Sequence, residues 1–245
     1  MKQNRLYDEL AHLWPWVSNP ADYAREAEHW RKALRSKLGP GRHRILELGV
    51  GGGHNLSHLK TEFEATAVDL SPQMIGVCRE LNPEVELHVG DMRTVRLNKT
   101  FDAVLIHDAI AYMLTEDDLR AAFTSAAVHL RTGGIFVTAP DHVKETYKDG
   151  AVSTDQSTHD DRQLTFMHYE YDPDPTDTET STLLVYVIRE GTEIRVEEDL
   201  HVTGLFPKQV WTDLITSCGF DVEVADVGPA DDPRQRYMFV GTRRS

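Results

Sequence analysis

The chain has 245 residues, with 26 Lys+Arg against 40 Asp+Glu for a formal charge of −14, and 40% hydrophobic residues. Such a chain buries a sizeable core without disulfide or metal staples, and its acidic surface repels phosphate backbones, which excludes nucleic acid as an expected partner. Cys78 and Cys218 read as reduced thiols, no apolar run reaches the ~20 residues of a membrane span, and MKQNRLYDEL has no signal-peptide core, so the expectation is a cytoplasmic protein without a membrane partner, a homodimer being left open.

Before residue 40 the spacing of Tyr23, Ala27, Trp30, Leu34 and Leu38 predicts one amphipathic helix, stopped by Gly39-Pro40-Gly41. From Arg44 onward, strand-like runs at Ile45–Leu48, Ala65–Asp69, Val85–Val89, Asp102–His107 and Gly134–Ala139 alternate with helical stretches. Those helices are expected at Asn55–Lys60, Pro72–Leu81 and Glu116–Leu130, with Ser71 and Thr115 as N-caps. Alternation of this kind means a parallel sheet covered on both faces. Residues 141–180 are polar and read as irregular. Leu183–Arg189 and Glu193–Val202 then read as a hairpin, followed by a helix over Pro207–Cys218 and strands at Phe220–Ala225 and Tyr237–Thr242.

The segment from Arg44 to His54, RILELGVGGGH, carries the most chemistry. Gly49, Gly51 and Gly53 leave an apolar strand and open a helix, the context of a nucleotide-type binding turn. Asp69 ends the next strand, where a carboxylate can accept both hydroxyls of a ribose. Glu47 argues against a pyrophosphate on the turn and for a cationic ligand.

These residues resemble the class I S-adenosylmethionine-dependent methyltransferases. Glu47–Gly53 is similar to that family's first motif and Val68–Met74 to its second. Gly90-Asp91-Met92, Phe101–Val104 and Leu130–Gly134 match later motifs in order. The resemblance implies an α/β, Rossmann-like seven-stranded sheet in a single domain, with a helical lid over 1–40 and a cofactor-binding half at 41–140. A β-hairpin substrate cover at 141–206 and a final helix and strands at 207–245 complete it. It implies S-adenosylmethionine as cofactor, with Glu47, Gly49 and Gly51 along its methionine part, Asp69 on the ribose, and Asp91 on the adenine amino group. Met74 and Met92 would pack on the ring beside Leu70, and Tyr7 would reach the cofactor carboxylate from the lid.

In that fold the acceptor lies beyond strands four and five, near His107, Asp108, Tyr112, Asp141 and His142. His107 and His142 are the candidate bases, His107 having a second reading in which it offers the cofactor only its backbone carbonyl. Tyr112 and His201 are the candidate acceptor contacts. The stretch Asp199–Phe206 is similar to the cover of small-molecule N-methyltransferases of the amino-sugar type. No metal is expected, although His54 with His58, and His159-Asp160-Asp161 with His168, have metal-like composition. Acidic residues in 141–180 far outnumber Lys144, Lys148 and Arg162. A negative mouth of that kind favours an amine or neutral small molecule over a phosphorylated one. The expected reaction is methyl transfer to nitrogen or oxygen by in-line displacement. The competing readings are a protein that binds S-adenosylmethionine without transfer, an aminopropyl-transfer enzyme on the same fold, and a nicotinamide oxidoreductase.

Overall fold

The computed structural model describes residues 4–159, 161–228 and 236–245. Short 3-10 turns and α1 (Trp14–Val17) lead into α2 (Ala24–Leu38). Then follow β1 (Arg44–Leu48), α3 (His54–Ser57), β2 (Glu64–Asp69), α4 (Pro72–Leu81), β3 (Glu86–Val89), β4 (Phe101–Ile106), α5 (Glu116–Val128) and β5 (Leu130–Thr138). The second half contains β6 (Ala151–His159), β7 (Arg162–Tyr171), β8 (Glu179–Glu190) and β9 (Glu193–Gly204), then α6 (Lys208–Ser217), β10 (Phe220–Asp226) and β11 (Tyr237–Arg243). Among the described residues no helix is long and apolar enough to cross a membrane.

The seven-stranded sheet has the order β10-β11-β5-β4-β1-β2-β3. β1 to β5 are mutually parallel, and β11 runs antiparallel between β5 and β10. Because successive side chains alternate faces, Leu46, Val104 and Phe136 enter one core with Phe123, Trp211 and Phe239. Ile45, Leu105 and Val137 enter the other, with Trp30, Leu34 and Phe63. Two-sided burial is why these strands read as continuous apolar runs. The caps at Ser71 and Thr115 form as expected, each side-chain oxygen accepting a helix N–H at 3.1 Å. β5 starts at Leu130, earlier than expected. Leu130 pairs with Phe101, and the register then shifts across the segment containing Gly133 and Gly134, turn-type residues that hid the first bridge.

Two expectations change. The expected hairpin forms as β8 and β9, and β6 and β7, in the stretch read as irregular, extend it into a four-stranded antiparallel sheet, β6-β7-β8-β9. β6 (AVSTDQSTH) shows no apolar alternation because its side chains are exposed almost throughout. Its pairing with β7 is carried by backbone bonds. The first forty residues also split in role. α2 is a core layer through Ala27, Trp30 and Leu34. Only the segment before it, with Leu6, Leu10 and Leu13, lies against the small sheet, packing on Leu164, Phe166, Leu184 and Tyr186.

Candidate active site

The turn after β1 puts Gly49 at φ +76° and Gly51 at φ +54°. A side chain at Gly49 would run into Ala109 and bring Met92 Cε to 2.9 Å, and one at Gly52 would strike the Trp14 indole. Glycine is therefore required both by backbone conformation and by the close approach of the lid. Gly49 N and Val50 N both donate to Val68 O, at 2.8 and 3.1 Å, which ties the turn to the end of β2. Asp69 holds its shape: Oδ2 accepts from Gly51 N at 2.7 Å and Oδ1 from Ser71 N at 2.9 Å. Each oxygen retains a lone pair for a ligand hydroxyl, and burial pushes this carboxyl above its ordinary range.

A cavity of about 630 Å³ opens at the carboxyl ends of the parallel strands. Glu47, Gly49, Gly51, Asp69 and Leu70 line it from the first two strand ends. Asp91, Met92, His107 and Tyr112 line it from the next two, and Tyr7 from the lid. Met74 is not among its lining residues. That side chain is fully buried beneath the turn, with Cε 3.9 Å from where a Gly51 Cβ would stand. Glu47 is 2% exposed and its Oε2 has no partner. Burial pushes it up to about 7, with Asp108 and Asp69 adding to the effect against the lowering by His107. An orphaned carboxylate oxygen at the turn calls for a cation, so the ammonium and sulfonium of S-adenosylmethionine fit where a pyrophosphate would not. Asp91 is engaged by Arg93, whose Nη2 donates to Oδ2 at 2.7 Å and which also reaches Asp118 at 2.7 Å. That guanidinium, two residues beyond Asp91, was missed in the sequence and competes for the carboxylate assigned to adenine.

His107 lies between two acids, with Nε2 2.7 Å from Glu26 Oε1 and Nδ1 3.2 Å from Asp108 Oδ2. Burial alone would lower its pKa, but Asp108 and Glu26 outweigh it and raise it well above the ordinary value. Both carboxylates favour the protonated ring, which weighs against His107 as the general base. Its two nitrogens face different carboxylates, and Glu26, His107 and Asp108 bring candidate ligand atoms within 4.8 Å of one another. The pair His54 and His58 serves structure: His54 Nδ1 lies 2.9 Å from Ser18 Oγ and His58 Nε2 2.7 Å from Pro20 O. Burial drives His54 down to about 4. Asp160 lies outside the described residues, as does the side chain of His159.

A second cavity of about 390 Å³ adjoins the first, between the strand ends and the inner face of the small sheet. Tyr7, Tyr112 and Asp141 border both. His142 and His201 border the second and not the first. His142 Nε2 sits 3.2 Å from Glu170 Oε2, and that partner raises its pKa against the effect of burial. Asp141, open to both spaces, is pushed up to about 7 by Asp108 and then by desolvation. Arg236 is the one Arg or Lys among the described lining residues. Four of the acids of 141–180 are engaged in turns. Asp149, Asp172, Asp174 and Asp177 each accept a backbone N–H at 2.8–3.0 Å and cap the turns flanking the small sheet.

Residues 45–134 match the methyltransferase domain family. The chain is 34% identical over 228 residues to the dTDP-3-amino-3,4,6-trideoxy-alpha-D-glucopyranose N,N-dimethyltransferase of Streptomyces venezuelae, covering 92% of this chain and 93% of that one. It is 29% identical to the dTDP-4-amino-2,3,4,6-tetradeoxy-D-glucose N,N-dimethyltransferase of Saccharopolyspora spinosa, over 91% of this chain and 87% of that one. Among solved structures, Streptomyces venezuelae DesVI superposes with a TM-score of 0.81 at 31% identity, covering 91% and 92% of the two chains. The sugar N-methyltransferase KedS8 from Streptoalloteichus superposes with 0.84 at 26% identity, covering 98% and 93%. With the glycine turn, the orphaned Glu47 and the paired cavities accounted for, the chain belongs to the S-adenosylmethionine-dependent methyltransferases and transfers a methyl group from that cofactor to a small-molecule acceptor.

Proposed function

We propose that the acceptor is a deoxy amino sugar carried on a nucleoside diphosphate and that the reaction is N-methylation. The observation that carries this reading is the second cavity, which shares Tyr7, Tyr112 and Asp141 with the cofactor cavity. It offers hydroxyl, imidazole and carboxylate groups to a polar ring, and Arg236 to a phosphate. Likeness to enzymes named for dTDP-amino sugars supports the same class. A phosphorylated acceptor departs from the expectation drawn from the acidic composition of 141–180, and the relatives named for dTDP-amino sugars outweigh that composition.

In this reading Glu47 holds the cofactor ammonium, Asp69 the ribose, and Leu70 and Met92 flank the base, with Asp91 beside it and Tyr7 closing the methionine end. Tyr112 and His201 face the acceptor. When bound, S-adenosylmethionine supplies a sulfonium methyl group open to in-line displacement, so alignment of the acceptor nitrogen provides much of the rate. The chain must then exclude water and receive the proton that an ammonium gives up. Incubation with S-adenosylmethionine and dTDP-3-amino-3,4,6-trideoxy-alpha-D-glucopyranose should give mono- and dimethylated product by mass spectrometry. Methylation of simple amines with none of the nucleotide sugar would overturn the acceptor assignment.

A further inference from the structure

A chain of hydrogen bonds crosses the partition between the two cavities, and alignment of the acceptor does not require it. His201 Nε2 meets Asp199 Oδ2 at 2.8 Å, the two residues standing on the same face of β9. His201 Nδ1 lies 2.5 Å from Tyr112 Oη, and Tyr112 Oη lies 3.0 Å from Tyr7 Oη. Asp199 is fully buried and also accepts from Leu6 N at 2.8 Å. Its position is therefore fixed jointly by the small sheet and by the lid. Tyr7, at the far end, borders both cavities.

The donors along this chain can be ordered. His201 and the backbone N–H groups of Arg5 and Leu6 hold the Asp199 carboxyl below its ordinary range against the effect of burial. An ionised carboxylate only accepts, so His201 Nε2 carries a proton. Each tyrosine hydroxyl has a single proton to give. The chain thus has two arrangements. In one, Tyr7 donates to Tyr112 and Tyr112 to a bare His201 Nδ1. In the other, the direction is reversed and both ring nitrogens carry protons. The 3.0 Å separation of the two phenol oxygens serves either direction.

The geometry points to a proton wire in which the acceptor ammonium gives its proton to Tyr7 Oη, Tyr7 gives its own to Tyr112 Oη, and Tyr112 gives its own to His201 Nδ1. This rests on the N-methylation reading. The breaking N–H bond leaves its electron pair on the acceptor nitrogen, which becomes the nucleophile. Both tyrosines end as phenols, and His201 ends as an imidazolium paired with Asp199. His201 borders the acceptor cavity, so water there can take the proton and reset the ring. Burial pushes both phenols above their ordinary range, which suits them to relay a proton and not to stand as phenolates. Asp199 is a positioning residue, acting through His201. Facing the chain from neighbouring elements are His168 on β7, Tyr186 on β8, Asp141 after β5, and Asp108. His168 is kept neutral by burial. Asp141 is the competing proton acceptor.

The test compares the wild type with His201→Gln and Asp141→Asn, using S-adenosylmethionine and dTDP-3-amino-3,4,6-trideoxy-alpha-D-glucopyranose. Glutamine keeps one donor and one acceptor between Asp199 and Tyr112 but takes no proton. S-adenosylhomocysteine affinity should be little changed in His201→Gln, with kcat near pH 7 falling about 100-fold, the scale of lost acid–base catalysis. That loss should shrink as pH rises and the acceptor amine becomes neutral in solution. Near-normal kcat, an equal loss at every pH, or a pH-dependent loss in Asp141→Asn instead would overturn the wire. An acceptor-free measurement is ¹⁵N NMR of His201 in the wild type and Tyr112→Phe. Nε2 should carry a proton donated to Asp199, Nδ1 should report the hydrogen bond with Tyr112, and the Tyr112 substitution should move Nδ1 alone. A bare Nε2, or an Nδ1 signal indifferent to the Tyr112 substitution, would overturn it. Failure of the wild type to methylate the nucleotide sugar would sink the acceptor reading, while the NMR result still decides the wire.

Discussion

The parallel strands β1, β2, β4 and β5 bury both faces and end in loops that shape the first cavity, whereas β6–β9 bury one face and leave Val152, Ile194 and Val196 on the other in solvent. In the first sheet the cavity-lining groups stand at the strand ends and on the turns beyond them, as with Asp69, Gly49 and Asp91. In the second they stand on the strands themselves, as with His168, Asp199 and His201. The difference follows from topology. Parallel strands all end on one side, which gathers their loops, while an antiparallel sheet offers a continuous face. The cofactor side is thus specified by backbone conformation and the acceptor side by side-chain choice on a pleated surface.

The largest expected effect lies on the backbone side. Gly49→Val, at φ +76° and against Ala109, should abolish S-adenosylhomocysteine binding in calorimetry. Gly191→Ala, in the β8–β9 turn at φ +60° with open space around it, should cost only about 1 kcal/mol. Equal effects would erase the contrast.

Next is Phe166→Ala, which removes a ring stacked 4.9 Å from Tyr186 in the core shared by the small sheet and the lid. Denaturant unfolding should show a loss of about 3–5 kcal/mol. Hydrogen exchange should rise across Leu6–Leu13 more than in β1 or β4. Uniform loosening of both sheets would contradict a separate lid core.

Glu47→Gln should bring opposite changes in stability and binding. Folding raises this carboxyl from its ordinary value of 4.5 to about 7. The ionised group therefore opposes folding increasingly as pH rises from about 4.5 to about 7, and steadily above that, by about 3 kcal/mol at most. The ligand-free variant should melt higher than the wild type at pH 8, match it near pH 4, and bind S-adenosylmethionine more weakly. A lower melting temperature at pH 8 would show that the carboxylate has a protein partner.

The smallest effect is expected at the turns flanking the small sheet. Asp172→Asn with Asp174→Asn removes two charges but keeps the capping oxygens. Stability should change by less than about 0.5 kcal/mol. The salt dependence of kcat/KM between ~10 and ~500 mM should match the wild type, although the Debye length shrinks from about 30 Å to a few ångströms. A loss confined to low salt would restore the steering role first read from the acidic composition.

The large sheet was legible because two-sided burial writes unbroken apolar strands, and because Gly49, Ser71 and Thr115 act through local backbone chemistry. β6 was not legible, since an exposed edge strand held by main-chain bonds needs no apolar alternation. Of the site, the residues at strand ends could be placed in order along the chain, and most of them border one cavity. Met74 could not be separated from them, because burial under the turn and exposure to the cavity select the same residue type. The spacing of Asp199 and His201 was visible as a shared strand face, but nothing in it announced a bond to Tyr112, 89 positions away.

The sequence by itself determined the fold, the cofactor turn and the order of the strand-end residues, all set by short-range conformation and by alternation of burial. Only the tertiary structure decided which charges meet. It placed His107 between Glu26 and Asp108, turned Arg93 onto Asp91, left Glu47 Oε2 without a partner, and lined up Asp199, His201, Tyr112 and Tyr7. Proton affinity depends on partners within a few ångströms and on exclusion of water. Both arise from packing segments distant in the chain, so the reading of a histidine as base, cation or relay was open until the sheets and the lid came together.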